Sequence, residues 1–140
     1  MRMLRCLTLF LTMSLCLGAH AADEELDVRH AMSAAEAWLF TVDSARYGAS
    51  WEEGAPILQG AVDKGRWEIM LEGVRGPLGV ANSRKLRSAT FARVLPNAPP
   101  GEYFVIQFDT QFEKRPLSTE IVTPVRGSDG TWRVAGYIIR

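Results

Sequence analysis

The chain is 140 residues long, 47% hydrophobic, and carries sixteen basic and sixteen acidic side chains for a formal net charge of zero. That length suits one domain able to bury its own core. The balanced charge excludes a protein held by electrostatics to nucleic acid or to an anionic membrane.

Residues 1–21 read as a cleavable export signal. Arg2 and Arg5 form a positive start, residues 6–18 an apolar run broken only by Thr and Ser, and Ala19-His20-Ala21 a small-x-small cleavage pattern. The run is too short to span a bilayer, which argues against an uncleaved anchor helix. A lipid anchor at Cys16 fails because Leu15, not a small residue, precedes it. The cut is expected after Ala21, leaving residues 22–140 in the periplasm or outside the cell. Both cysteines, Cys6 and Cys16, leave with the signal, so the mature chain has no thiol and no disulfide despite an oxidising compartment. Its charge becomes about −2, and His30 is the one histidine left. A histidine-based zinc site needs more ligands, so neither metal nor cofactor is expected. No further apolar stretch is long enough to cross a membrane.

Residues 22–28 (ADEELDV) are acidic with little apolar pattern and are expected to be a frayed lead-in. A helix follows over 29–46, with Ala35, Trp38, Leu39 and Val42 at i, i+3, i+4 and i+7. Ser33 and Glu36 resemble a capping box, and Tyr47-Gly48 is the expected stop. Ser50 with Glu53 is a second such start signal, predicting a short helix over 51–60 with Trp51, Ala55 and Leu58 on one face and Pro56 and Gly60 limiting it. A third helix over 63–76 places Trp67, Met70, Leu71, Val74 and then Leu78 at helical spacing. Glu72 and Arg75 form a surface pair on its outer side, and Gly76-Pro77-Leu78-Gly79 ends it.

From Lys85 the pattern turns to β. A strand is expected over 85–95, and residues 97–101 are a loop. Over 102–113, Phe104, Ile106, Phe108 and Phe112 alternate with Gln107, Asp109 and Gln111. Residues 113–116 make a hairpin turn. A strand over 118–126 follows, in which Pro124 signals an edge position or a bulge. After the turn at 127–130, the strand over 131–139 sets Trp132, Val134 and Ile138 on one side and Arg133, Ala135, Tyr137 and Ile139 on the other. Helices first and strands after give an α+β fold: N-terminal helices packed on one face of a curved four-stranded antiparallel meander.

Several blocks carry a resemblance. AEAWLFTVDSARYGASW at 35–51, with Trp38, Asp43, Tyr47, Ser50 and Trp51, resembles the opening of a family of exported bacterial proteins known as domain of unknown function 4019. Trp67, then Arg75 with PLG, Ser83-Arg84-Lys85-Leu86, GEYFVIQFDTQF, Glu120 and WRVAGYIIR continue the likeness in order. The resemblance implies an exported α+β protein and no particular activity. The element order also resembles the NTF2-like fold, a cone whose sheet wraps around its N-terminal helices; such folds host binders, enzymes and interaction modules alike.

Ten residues are the candidate ligand-binding set: Trp38, Asp43, Tyr47, Trp51, Trp67, Arg75, Arg84, Glu120, Arg133 and Tyr137. The four tryptophans, Trp132 included, have core-like spacing, and the functional alternative is an aromatic pocket between helices and sheet. Asp43 is either a surface carboxylate paired with Arg84 or Arg46, or a desolvated base with a raised pKa beside Trp38 and Tyr47. Glu120 and Arg133 are expected to form a cross-strand ion pair. Arg75, Arg84 and Arg133 could instead hold an anion. His30 reads as a solvated side chain. Nucleophile-elbow, P-loop, dinucleotide and H-E-x-x-H motifs are missing from the sequence.

The preferred reading is a non-catalytic periplasmic module for a small apolar or amphipathic ligand or for a protein partner. The alternative is a cofactor-free isomerase or hydratase using Asp43 as base, with Tyr47 or an arginine stabilising an oxyanion. Self-association into a homodimer is a third possibility.

Overall fold

In a computed structural model, the described residues are 16–140, with side chains for 21 and 23–140. The first fifteen residues of the expected signal lie outside them. Helix α1 spans Cys16–Asp43. Its buried stripe is Ala31, Ala35, Trp38, Leu39 and Val42, the periodicity read from the sequence. Residues 22–28 belong to this helix, correcting the expected frayed lead-in. Glu25 accepts from Arg29 one turn on at 2.5 Å, Val28 packs against the core, and Asp27 lies 3.5 Å from Arg126 of the sheet. Ser33 is therefore mid-helix and caps nothing.

The helix also stops earlier than expected. Ala45 takes φ 57°, the Arg46 amide donates to Thr41 O at 3.2 Å, and the Ala45 amide donates to Val42 O at 2.9 Å. This paired closure is a Schellman-type end with alanine where glycine is usual. Tyr47-Gly48, the expected stop, instead opens α2 (Tyr47–Glu52). Ser50 is buried inside α2 rather than capping it. The expected helix over 51–60 splits into the end of α2 and α3 (Pro56–Ala61). Pro56 has no N–H for a continuous helix, and the Ala55 amide donates to Val134 O at 2.8 Å, tying this break to the sheet.

Asp63 caps α4 (Lys64–Arg75) by accepting from the Arg66 amide at 2.9 Å. The buried side of α4 is Trp67, Leu71 and Arg75, continued by Leu78, while Met70 and Val74 are largely exposed. The expected outer Glu72–Arg75 pair is thus overturned, because Arg75 points into the molecule. A 3-10 turn at Gly76–Leu78 follows, and Gly79 at φ 73° swings the chain into the sheet.

The strands are β1 (Ala81–Ala92), β2 (Tyr103–Phe112), β3 (Arg115–Arg126) and β4 (Trp132–Ile139), antiparallel in the order β1-β2-β3-β4. The α+β architecture is the one expected. β1 begins four residues before the expected start, and the β2–β3 turn tightens to Glu113-Lys114. Pro124 sits on an inner strand, so the edge option fails and the bulge option holds. Thr123 pairs with Gly136 and Pro124 with Val134, leaving Ala135 as an extra residue in β4. That insertion reverses the alternation beyond it. Trp132, Val134 and Tyr137 face the helices and Ile138 faces out, 51% exposed, unlike the expected pattern. α1 packs across β2, β3 and β4, and the core fills the space between, from Ala31, Trp38 and Leu39 to Phe104, Ile106, Phe108, Val122 and Val134.

Candidate functional site

Five of the ten candidate residues meet at one end of the helix–sheet interface. Asp43 is the last residue of α1, and Arg75 the last of α4, one turn beyond Leu71 on its buried stripe. Arg84 lies on β1 after a register shift between Ala81 and Ser83 that realigns the strand and pairs Arg84 with Thr110. Glu120 takes an inward position of β3 between Ser118 and Val122. Tyr137 reaches the same side because Ala135 reverses the alternation of β4. Thr110 and Phe112 of β2 complete the group.

Glu120 has no exposed surface. Its Oε2 accepts from Arg84 Nε at 2.5 Å and from Thr110 Oγ1 at 2.6 Å. Its Oε1 accepts from Arg84 Nη2 at 3.2 Å and from the Tyr137 hydroxyl. Arg75 Nη1 donates to the Tyr137 oxygen at 3.2 Å and lies 3.7 Å from Oε1 of Glu120. Arg75 Nη2 donates to Asp43 Oδ1 at 2.9 Å. Arg84 grips Asp43 with two nitrogens, Nη1 to Oδ2 at 2.9 Å and Nη2 to Oδ1 at 3.1 Å. The Arg75 guanidinium stacks 4.9 Å from the Phe112 ring centre.

Side-chain exposure grades from 0% at Glu120 and 4% at Arg75 to 18% at Arg84 and 29% at Asp43, so the cluster runs from core to surface. Two positive and two negative side chains balance, which is the condition for burying charge without an uncompensated ion.

The electrostatics follow. Burial pushes the Asp43 carboxyl up, but hydrogen bonds and charge from Arg84 and Arg75 outweigh it and hold the pKa below 3.8. Of the two readings of Asp43, the carboxylate paired with Arg84 is the one found, and the raised pKa of the other is not: Asp43 is a weakened base. Burial works against the Arg84 and Arg75 charges, yet their partners raise both pKa values. Burial and the neighbouring Glu120 charge raise the Tyr137 phenol against the opposing pull of Arg75. Both carboxylates are occupied and both guanidinium groups are engaged by them. Within the cluster one buried donor, Arg75 Nε, has no partner among the described residues, and each carboxylate accepts from at least one arginine.

The indoles of Trp38, Trp51 and Trp67 tie the helical segments together, while Trp132 Nε1 is buried without a partner among the described residues. Trp38 and Trp67 are buried with ring centres 6.2 Å apart. Trp38 Nε1 donates to Ser50 O at 2.8 Å and Trp67 Nε1 to Ser50 Oγ at 3.0 Å, so one buried serine serves both indoles. Trp51, partly buried, donates to Val62 O at 2.8 Å. Trp38 also meets the Tyr137 ring edge-on at 5.2 Å, supporting the ion cluster from beneath.

Tyr47 packs half-buried against the core; its phenol is raised by burial and the Glu72 charge, and no hydrogen bond joins it to Asp43 among the described residues. Arg133 stands apart. It pairs with Asp129 at 2.8 Å, its cross-strand neighbour is Val125, and that of Glu120 is Ile139, so the expected Glu120–Arg133 pair does not form. Arg133 and the Thr131 amide lower Asp129 to about 2. Thr110 is the residue the sequence did not single out, though its inward parity on β2 could have pointed to it; Phe112 and Ser50 stood out only as an inward β2 residue and as a helix start signal within a family block.

The opposite face of the sheet differs. Gln107, Ile121 and Ile138 form one row across β2, β3 and β4, and Leu117 of β3 is 89% exposed. A groove of about 560 Å³ opens beside Leu117.

Compared with known families, the chain matches the one described as "Protein of unknown function (DUF4019)" over residues 34–137. Neither curated proteins nor solved structures yield a match.

Proposed function

We propose that this chain, which belongs to the DUF4019 family, is an exported, non-catalytic module that binds a partner protein through the uncovered face of its sheet. The contrast between the two faces carries this reading. The inner face is filled by Trp38, Trp67 and their neighbours and sealed at its end by a charge-balanced cluster, while the outer face presents Leu117, Ile121 and Ile138. Scattered surface apolar residues need no partner, but aligned ones on an uncovered sheet face do.

Export rests on Arg2, Arg5, the apolar run and Ala19-His20-Ala21. A cut after Ala21 would leave Asp23, Glu24 and Glu25 in the first turn of α1, where negative charge favours a helix.

The test places a photo-crosslinking amino acid at Ile121 or Ile138, with Ile69 on α4 as control, in the exported protein. A discrete cross-linked partner, identified by mass spectrometry and dependent on the sheet positions, is the expected result. Cross-links from Ile69 alone would overturn the reading. Mass measurement of the exported chain checks for a mature start at Ala22.

A further inference from the structure

Resting on the partner-binding reading above, we infer that the seat on the outer sheet face accepts an extended acidic segment that crosses the strands. Lys85 pairs with Asp109, Asp109 with Thr119, and Thr119 exchanges backbone hydrogen bonds with Arg140 at 2.8 and 2.9 Å. These four residues make one row across the whole sheet, and all line the groove beside Leu117.

Charge in the row is lopsided. Asp109, the one acidic side chain lining the groove, is already taken by Arg87 at 2.7 Å. Lys85 and Arg140 have no ion-pair partner among the described residues. The side chains at both ends of the row are thus basic, with Asp109 and its partner Arg87 the other charged side chains lining the groove.

Spacing selects the occupant. Neighbouring strands lie about 4.8 Å apart, so the ends of the row are about 14 Å apart. A single carboxylate or phosphate cannot touch both ends. An extended peptide advances about 3.4 Å per residue, so side chains at i and i+4 fall about 14 Å apart and point the same way. Acidic residues at those positions meet Lys85 and Arg140. The residue at i+2 faces the middle of the row, between Asp109 and Thr119, and an apolar side chain there leans toward Leu117, two residues along β3. Specificity comes from complementary charge at the ends and apolar contact between them.

The probe is a fluorescein-labelled peptide containing Glu-Val-Leu-Val-Glu, its affinity for the mature protein read by anisotropy. Two comparison peptides replace both Glu by Lys or move the second Glu to i+3. The i,i+4 acidic peptide is expected to bind at least about tenfold more tightly than either, and to weaken with added salt. The double variant K85E/R140E, both positions exposed, should lose that preference at an unchanged melting temperature, and Leu117→Ser should weaken binding several-fold. Equal binding of all three peptides, no binding by the unaltered protein, or an unaffected K85E/R140E would overturn the inference. Partner cross-links from Ile121 or Ile138 in the face of such a result would leave the module reading standing without its acidic partner; loss of both would remove both.

Discussion

Glu120 accepts from Arg84, Thr110 and Tyr137 at a position with no solvent contact. Removing one member of a buried ion network leaves the others desolvated and uncompensated, which costs about 3–5 kcal/mol. Glu120→Gln should therefore lower the unfolding free energy by about that much in urea titration, despite nearly unchanged volume. Asp43, nearer the surface, makes three bonds to two arginines, and Asp43→Asn should cost about 1–2 kcal/mol at neutral pH. Its pKa is depressed in the folded state, so its contribution is present above the ordinary value of 3.8 and is lost as the pH falls below it. The gap in stability between the native chain and Asp43→Asn should accordingly close in acid; a gap that persisted there would mean the carboxylate charge is not what stabilises. If Asp43 were instead a catalytic base, this substitution would leave stability unchanged.

At the scale of elements, small backbone irregularities decide what each element presents. Ala45 closes α1 at φ 57°, a conformation that costs a side-chain-bearing residue about 1–2 kcal/mol. Glycine avoids that cost but gives up more chain entropy. Ala45→Gly should raise stability by about 0.5–1 kcal/mol, measured as an upward shift in melting temperature. The Ala135 bulge has the larger consequence, since it turns Tyr137 toward Glu120 and Ile138 outward. Strict alternation along 131–139 pointed to the reverse. Within β4 the one mark of the insertion is Gly136, which follows Ala135, and on β3 the shift falls at Pro124, which cannot donate to the ladder. Arg75 illustrates the same limit on a helix. Its period places it on the Trp67–Leu71 stripe, yet a charged residue there reads as surface until the carboxylates that neutralise it are located.

Across the whole molecule the sheet has one closed and one open side. α1 crosses three of the four strands, and its N-terminal turns reach the sheet through Val28 and the Asp27–Arg126 pair. A chain of residues 29–140 should be less stable than one of residues 22–140 by about 1–2 kcal/mol, from lost apolar packing and a weak surface pair. Equal urea midpoints for the two would show that residues 22–28 add nothing to the fold. The likeness to NTF2-like proteins rests on element order alone.

By itself the sequence determined the α+β class, the meander, the buried stripe of α1, the inward face of β2 and the family blocks that recur from 34 to 137. Each of these follows from local periodicity or turn chemistry, which a chain carries without reference to its partners. It also named Asp43, Arg75, Arg84, Glu120 and Tyr137 as candidates, but not as one cluster. Their meeting depends on where two helices end and on shifts in strand register, and both are settled by contacts between residues 17 to 62 positions apart. The pairing of Arg75 with Asp43 rather than the surface was decided in the same way, because a charge goes where a partner can repay its desolvation, and only the tertiary structure puts that partner in place.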